Sequence, residues 1–184
     1  MNKDTNFLDL VNKRQSVRAY QEIAVEKEKI ERCIEAARLA PSACNAQPWK
    51  FIVVDKPELK NELASLTTTK MMSMNHFACQ APVLVVVVME SANLTSTLGS
   101  VIRDKPFTLI DVGIASVQFC LQATDEGLGT CMLGWFNEKK VKKLLNIPSS
   151  RRAVLIITLG YAEKEETRTK YRKSTEEVRT YNKY

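Results

Sequence analysis

Apolar residues recur at the three- and four-residue spacing of helices in several separate stretches of the chain. The pattern begins at Phe7, returns at Ile30, and appears again after Pro57, a residue type favoured in the first turn of a helix. A longer stretch starts at Ile110 and ends before Gly127. We therefore predict four helices, and we expect the longest to be the central helix of the core.

Other stretches have the composition of strands. Residues 81–88 are apolar throughout and rich in valine, which is typical of a strand buried on both faces. Shorter strands are predicted over residues 50–54, 130–135 and 153–160. The valine-rich strand belongs at the centre of the sheet.

No repeat or change of composition divides the 184-residue chain, so we predict a single domain over residues 1–184. Residues 91–107 are rich in Ser, Thr and Asn and are predicted to form a loop or a mobile cover. Residues 161–184, the C-terminal extension, are polar but contain four of the five tyrosines. Because disordered tails are poor in aromatic residues, we expect the extension to pack on a partner subunit or on the chain's own core.

Composition places the chain among ordinary globular proteins, with 45% hydrophobic and 26% charged residues. The longest uninterrupted apolar run, residues 83–89, is far shorter than the ~20 residues of a membrane span. The first residues also lack the apolar segment of a signal peptide. We expect no membrane association and a cytoplasmic location, where the five cysteines remain reduced.

A single histidine, His76, limits what the side chains can catalyse. Zinc sites need clustered Cys and His ligands, and Ser-His-Asp or Cys-His mechanisms would all need His76 as the base. We therefore predict no metal site and expect any catalysis to depend on a bound cofactor.

The net charge of +6 is concentrated in residues 138–152, where six Lys and Arg residues face one Glu. Such a basic surface attracts phosphates, including those of nucleic acids. The alternative is a solvated helix face, because Val141, Leu144 and Leu145 fit the buried side of a short helix that Asn137 caps. We favour the helix and predict no nucleic-acid partner.

Four polar clusters can hold a ligand. In an extended segment Arg14, Ser16 and Arg18 project to one side, which is a suitable cradle for a phosphate. Residues 40–49 form an irregular turn between two prolines, and residues 127–135 carry glycines that allow close backbone approach to a flat ligand. Lys170 and Arg172 alternate in the C-terminal extension. Each cluster alone also fits an ordinary polar loop or turn.

Taken together and in this order, the clusters resemble the nitroreductase family of FMN-dependent oxidoreductases, over nearly the whole chain. The motifs that carry the resemblance are R-x-S-x-R at 14–18, A-P-S-x-x-N-x-Q-P-W at 40–49, A-P at 81–82, D-x-G at 111–113, G-L-G-T-C at 127–131 and K-x-R at 170–172. The resemblance implies an α+β fold with a mixed central sheet wrapped by helices. It also implies an intertwined homodimer with two FMN sites at the subunit interface, each packed against the C-terminal extension.

The resemblance further implies which residues contact FMN. Arg14 and Ser16 would lie near the phosphate with Lys170 and Arg172, while Arg18 would face the pyrimidine edge of the flavin. The remaining implied contacts are Gln15 of the same subunit, Pro41, Ser42, Ala43 and Asn45 of the other subunit, and Gly134 and Trp135 near the flavin ring. The chain departs from the family pattern at residues 73–76, where relatives place Asn and Lys, and at Trp135, where a smaller or acidic residue is common.

The implied activity is a ping-pong reaction without a general base. Reducing equivalents would pass from NADH or NADPH through FMN to an electron-poor acceptor such as a nitroaromatic compound or a quinone, with Arg18 acting only through its positive charge. Two alternatives remain: a flavin-binding storage or sensor protein without turnover, and a basic nucleic-acid-binding protein.

Overall fold

The computed structural model describes residues 6–68, 74–91, 106–164 and 166–184. Within these residues the chain forms four strands, six α-helices and two short 3-10 turns. Each predicted helix and strand is present, with ends that shift by a few residues. The elements are α1 (Phe7–Lys13), α2 (Lys27–Arg38), β1 (Trp49–Val54), α3 (Pro57–Ser65), β2 (Val83–Met89), α4 (Phe107–Asp125), β3 (Gly129–Leu133), α5 (Glu138–Leu144), β4 (Arg152–Gly160) and α6 (Thr175–Val178).

The strands form one sheet in the order β1-β2-β4-β3, and all neighbouring strands are antiparallel. β2 lies inside the sheet and is buried along nearly its whole length, which confirms the prediction for the valine-rich stretch. A single parallel bridge joins Ser16 to Thr130 at the outer edge of β3. β3 ends at Leu133, opposite Ile156, so Gly134 and Trp135 follow the strand rather than extend it as predicted.

Helices cover both faces of the sheet. Alternate side chains of β2 point to opposite faces and therefore enter two separate cores. Val83, Val85 and Val87 pack with α2 and α4, whereas Leu84 and Val86 pack with α3 and α5. This arrangement confirms the α+β class with a central sheet wrapped by helices. Among the described residues the sheet is antiparallel rather than mixed, because every pair of neighbouring strands runs in opposite directions.

The predicted cap at Asn137 is confirmed, and a second polar cap begins the last helix. The Asn137 side chain accepts a hydrogen bond from Lys140 N at 3.1 Å and begins α5. Ser174 and Glu177 form a capping box that begins α6.

The core helix α4 is apolar on average, although polar residues interrupt its apolar runs. It is the one helix among the described residues that is long and apolar enough to cross a membrane by length and composition. Core helices of soluble proteins pass the same test, and α4 packs its buried face against α2 and the sheet.

The C-terminal extension makes few apolar contacts within its own chain. Tyr161 is half-buried and its hydroxyl hydrogen-bonds to Lys29 and Glu26. Tyr171, Tyr181 and Tyr184 are instead fully accessible, with exposed fractions of 74% or more. These three tyrosines do not pack on the chain's own core, so packing on a partner subunit remains the prediction. The predicted loop or cover at 91–107 falls mostly on residues 92–105, which lie outside the described residues.

Candidate functional site

The 14–18 segment runs in an extended conformation along the edge of β3. Val17 N donates to Thr130 O at 2.9 Å, and the Val17 side chain enters the core. The approach is close, because a Cβ on Gly129 would lie 2.6 Å from a methyl group of Val17. Ser16 and Arg18, on either side of Val17, remain accessible, as the predicted alternation requires.

Tyr20 fixes the same segment from the core side. Its hydroxyl donates to Val17 O at 2.9 Å and shares a 2.5 Å hydrogen bond with the Thr158 hydroxyl. Burial raises the pKa of Tyr20 far above its usual range, so the hydroxyl stays protonated and remains a donor. The backbone of the 14–18 segment is therefore held by β3 and by a buried hydrogen-bond network.

A cavity of about 610 Å³ lies between the 14–18 segment and the C-terminal extension. Five of its lining residues are cations, and none of the described residues that line it is acidic. The lining residues are Arg14, Gln15, Ser16, Arg18, Arg168, Thr169, Lys170, Tyr171 and Arg172. We call this space the cationic cavity.

The charges in the cationic cavity repel one another. Partial burial, together with the positive charges of Arg14 and Arg172, lowers the pKa of Lys170. A bound anion would reverse this effect, so the cavity is suited to a ligand with more than one negative charge.

Sequence analysis missed Arg168 in this cavity. Arg168, Lys170 and Arg172 occupy alternate positions in the C-terminal extension. The signal in the sequence was therefore the longer pattern R-x-K-x-R at 168–172. Arg168 was not predicted because the family resemblance rested only on Lys170 and Arg172.

Residues 41–47 form the irregular turn predicted between the prolines. Cys44, Asn45 and Gln47 have φ values of 46–52°, a left-handed conformation that is costly for residues other than glycine. The Ser42 hydroxyl accepts from Gln47 N at 3.0 Å, and the buried Asp111 carboxylate accepts from Ala43 N at 3.1 Å. A strained turn that is held this firmly is typical of a binding loop.

Gly134 and Trp135 follow β3 on the surface of the molecule. Trp135 is 54% exposed, and apart from its chain neighbours no atom of the described residues lies within 4 Å of a Cβ placed on Gly134. Asn75 Nδ2 donates to Trp135 O at 3.1 Å. Asn75, from the stretch where the chain departs from the family pattern, thus supports this part of the surface.

The structure therefore brings two of the four clusters together within one chain. The 14–18 segment and the C-terminal extension share the cationic cavity, whereas Pro41, Ser42, Ala43 and Asn45 do not line it, nor do Gly134 and Trp135. The 41–47 turn is attached to Asp111 near the start of α4. The charge of Arg14 acts on Cys120, about 13 Å further along that helix.

The basic residues of 138–152 are partly neutralised within the chain. Arg152 makes a bidentate ion pair with Glu138, and Arg151 pairs with Glu90. Lys142 donates to the carbonyls of Ser149 and Arg151. This surface has the contacts of a solvated helix face.

The buried thiols Cys33 and Cys120 do not form a second reactive centre. All five cysteines lie there and none forms a disulfide. Burial raises the pKa of Cys33 to about 12 and that of Cys120 to about 11, which keeps both thiols protonated and unreactive. No group of three or more His, Cys, Asp or Glu residues in that part of the chain could hold a metal ion.

The fold and the site define an α+β protein with a cation-lined cavity between the 14–18 segment and the C-terminal extension. Comparison with known proteins identifies the family: the profile of the Nitroreductase family matches residues 11–161. The chain belongs to the nitroreductase family and is an oxidoreductase of that family.

Three relatives illustrate the range of the family. A protein of Archaeoglobus fulgidus with the provisional name NADH dehydrogenase/NAD(P)H nitroreductase is 30% identical, over 86% of each chain. The structure of an FMN-dependent nitroreductase from Clostridium difficile superposes with a TM-score of 0.79, at 26% identity, covering 97% of this chain and 100% of the other. An iodotyrosine deiodinase of Thermotoga neapolitana is 26% identical, over 84% of this chain and 88% of its own length.

Proposed function

We propose that the protein is an FMN-dependent oxidoreductase that uses NADH or NADPH to reduce electron-poor acceptors such as nitroaromatic compounds or quinones. The observation that carries the proposal is the cationic cavity, whose donor set suits the dianionic phosphate of FMN. The family membership supports a flavin rather than another phosphorylated ligand.

The residues divide into two groups by charge and position. Arg14, Ser16, Lys170 and Arg172 hold the phosphate of FMN, with Gln15 placing the segment. Arg18, at the exposed end of the segment, faces the pyrimidine edge of the flavin.

FMN would supply the redox chemistry when bound, namely hydride acceptance from the nicotinamide and electron transfer to the acceptor. Arg18 would stabilise negative charge on the flavin ring through its own positive charge. Gly134 and Trp135 would contact the ring, where Asn75 anchors the Trp135 backbone through a hydrogen bond to its carbonyl.

We further propose that the active form is a homodimer in the cytoplasm. The cationic cavity lacks the 41–47 turn of its own chain, which supports a site in which a second copy supplies Pro41, Ser42, Ala43 and Asn45. Apolar side chains suited to that contact are exposed on two helices: Phe7, Leu8 and Val11 on α1, and Leu109, Ile110 and Val117 on α4.

An absorbance spectrum of the purified protein tests the proposed function. We expect a yellow protein with about one FMN per chain, which NADH or NADPH bleaches under argon. The colour should return with a nitroaromatic compound or a quinone. An iodinated phenol belongs in the acceptor panel, because one relative is named as a deiodinase.

The same experiment distinguishes the two other functions. A storage or sensor protein would be yellow but would not be reduced by either nicotinamide. A nucleic-acid-binding protein would be colourless, and its binding would weaken steeply with salt. A colourless protein that takes up no added FMN would refute the proposal.

A further inference from the structure

The side chain of Gln15 joins the 14–18 segment to the backbone of the C-terminal extension. Its Nε2 donates to Glu166 O at 2.9 Å, and its Oε1 accepts from Arg168 N at 3.1 Å. The amide thus pairs with the backbone of the extension as a neighbouring strand would. This contact fixes the register of the residues that follow, Lys170 and Arg172.

Arg168 strengthens the same connection with its guanidinium group. Nε donates to Gln15 Oε1 at 3.3 Å, and Nη2 donates to Ser16 O. Nη1 has no hydrogen-bond partner among the described residues. Arg168 also lines both the cationic cavity and an adjoining cavity of about 320 Å³.

Lys170 has less donor capacity available than its position suggests. Its ammonium group donates to Val11 O at 2.7 Å and to Asn12 O at 2.5 Å, at the C-terminal end of α1. Two of its three hydrogens are therefore used to cap a helix. A planar guanidinium with a free edge is the better partner for the oxygens of a phosphate monoester.

We propose that Arg168 selects the phosphate group of the cofactor. With Gln15 it places the extension against the 14–18 segment, and with Nη1 it donates to the phosphate. This inference rests on the proposed function, since the phosphate is that of FMN.

Comparison of FMN with riboflavin tests the role, because the two ligands differ only in the phosphate. Dissociation constants are measured by fluorescence on the full chain, stripped of flavin, for the wild type and for Arg168→Ala. We expect Arg168→Ala to weaken FMN binding by about tenfold or more and riboflavin binding by less than about twofold. Arg168→Lys keeps the positive charge but lacks the planar guanidinium that can donate two parallel hydrogen bonds, so its loss of FMN affinity should be intermediate.

A matched control is Arg179→Ala in the same extension. Arg179 stacks on Tyr181 and does not line the cavity, so its removal changes the net charge equally but should leave the preference for FMN over riboflavin unchanged. Gln15→Ala should reduce this preference, since Arg168 and Lys170 lose their placement.

Two outcomes overturn the inference. An Arg168→Ala variant with the wild-type ratio of FMN to riboflavin affinity shows that the residue does not sense the phosphate. An equal loss of both ligands, with a lower melting temperature, shows a purely structural contact. Failure of the proposed function is a different result, in which the wild type binds neither flavin.

Discussion

Arg14 and Arg18 lie four residues apart on one extended segment but meet different surroundings. Arg14 is half-buried, and together with burial its charge lowers the pKa of Lys170, the nearby cation of the C-terminal extension. Arg18 is exposed and does not contribute to that shift. The charges of both arginines oppose the rise that burial causes in the pKa of Cys131. The two arginines therefore differ in burial and in their relation to Lys170.

This difference predicts separate phenotypes for the two alanine variants. Arg14→Ala should weaken FMN binding by about tenfold or more, because it loses charge-assisted hydrogen bonds to the phosphate. Arg18→Ala should keep most of its FMN but be reduced more slowly by NADH or NADPH, since it lacks the charge that stabilises the reduced ring.

Flavin titration and stopped-flow reduction measure the two effects in parallel. Equal loss of FMN from both variants, with normal turnover per bound flavin, would contradict the assigned roles.

At this scale the sequence predicted side-chain direction but not side-chain partners. The alternation of Arg14, Ser16 and Arg18 follows from strand geometry alone, and the structure confirms it. That Gln15 pairs with the backbone at Arg168 could not be predicted, because it depends on how two distant segments meet. The alternation of Arg168, Lys170 and Arg172 is visible in the sequence, but it does not distinguish a cavity-lining arginine from a solvated one.

The position of β3 depends on the absence of a side chain at Gly129. A Cβ there would lie 2.6 Å and 2.9 Å from two carbon atoms of Val17, closer than van der Waals contact allows. The 14–18 segment would have to move away from β3. Gly129 thus connects the packing of the sheet edge to the geometry of the cationic cavity.

We predict that Gly129→Ala lowers the free energy of unfolding by about 1–3 kcal/mol, the usual cost of overpacking. FMN affinity should fall as well, because Arg14 and Ser16 move with Val17. Denaturant unfolding and flavin titration check the two effects. Gly134→Ala is the control for stability, since in the part of the chain that the structure describes nothing beyond the chain neighbours lies within 4 Å of the added methyl group. A similar loss in both variants would contradict the steric explanation.

Elements were predicted well where the signal is local. β2 was recognised by its uninterrupted valines, and the cap at Asn137 by residue type. The predicted end of β3 at residue 135 was wrong because pairing with β4 determines where the strand ends. Beyond Leu133, β3 has no paired residue on β4. Sequence alone does not show where a pairing partner stops.

The C-terminal extension joins the cavity to a surface that the single chain leaves uncovered. Cutting the chain after Ala162 removes Arg168, Lys170 and Arg172 but almost none of the buried core. We predict that the truncated protein keeps its fold by circular dichroism and is mostly colourless. It should also be more monomeric or aggregated by light scattering, because the exposed tyrosines no longer contribute to the interface.

The control is the same truncated chain supplied with excess FMN, which should favour the dimer only if the site survives. A truncated protein that stays dimeric with stoichiometric FMN would show that the extension is only solvated.

Mixed dimers test whether the 41–47 turn acts across the interface. One chain carries Arg14→Ala and the other carries Ser42→Ala with Asn45→Ala, with different affinity tags for isolation. If the turn reaches the partner's cavity, both defects fall in one site, and the mixed dimer keeps one intact site that binds FMN normally. If the turn serves its own chain, every site is damaged, and the mixed dimer binds as weakly as either homodimer.

The Gln15 contact also implies at which stage of protein synthesis the chain could first bind the proposed cofactor. Its partners Glu166 and Arg168 are made about 150 residues after it. The sheet can form as soon as β4 has left the ribosome, but the cationic cavity stays open on one side until the extension emerges. A nascent chain that stops short of residue 172 would fold without gaining the cofactor. Flavin binding thereby distinguishes chains that contain the extension from those that do not.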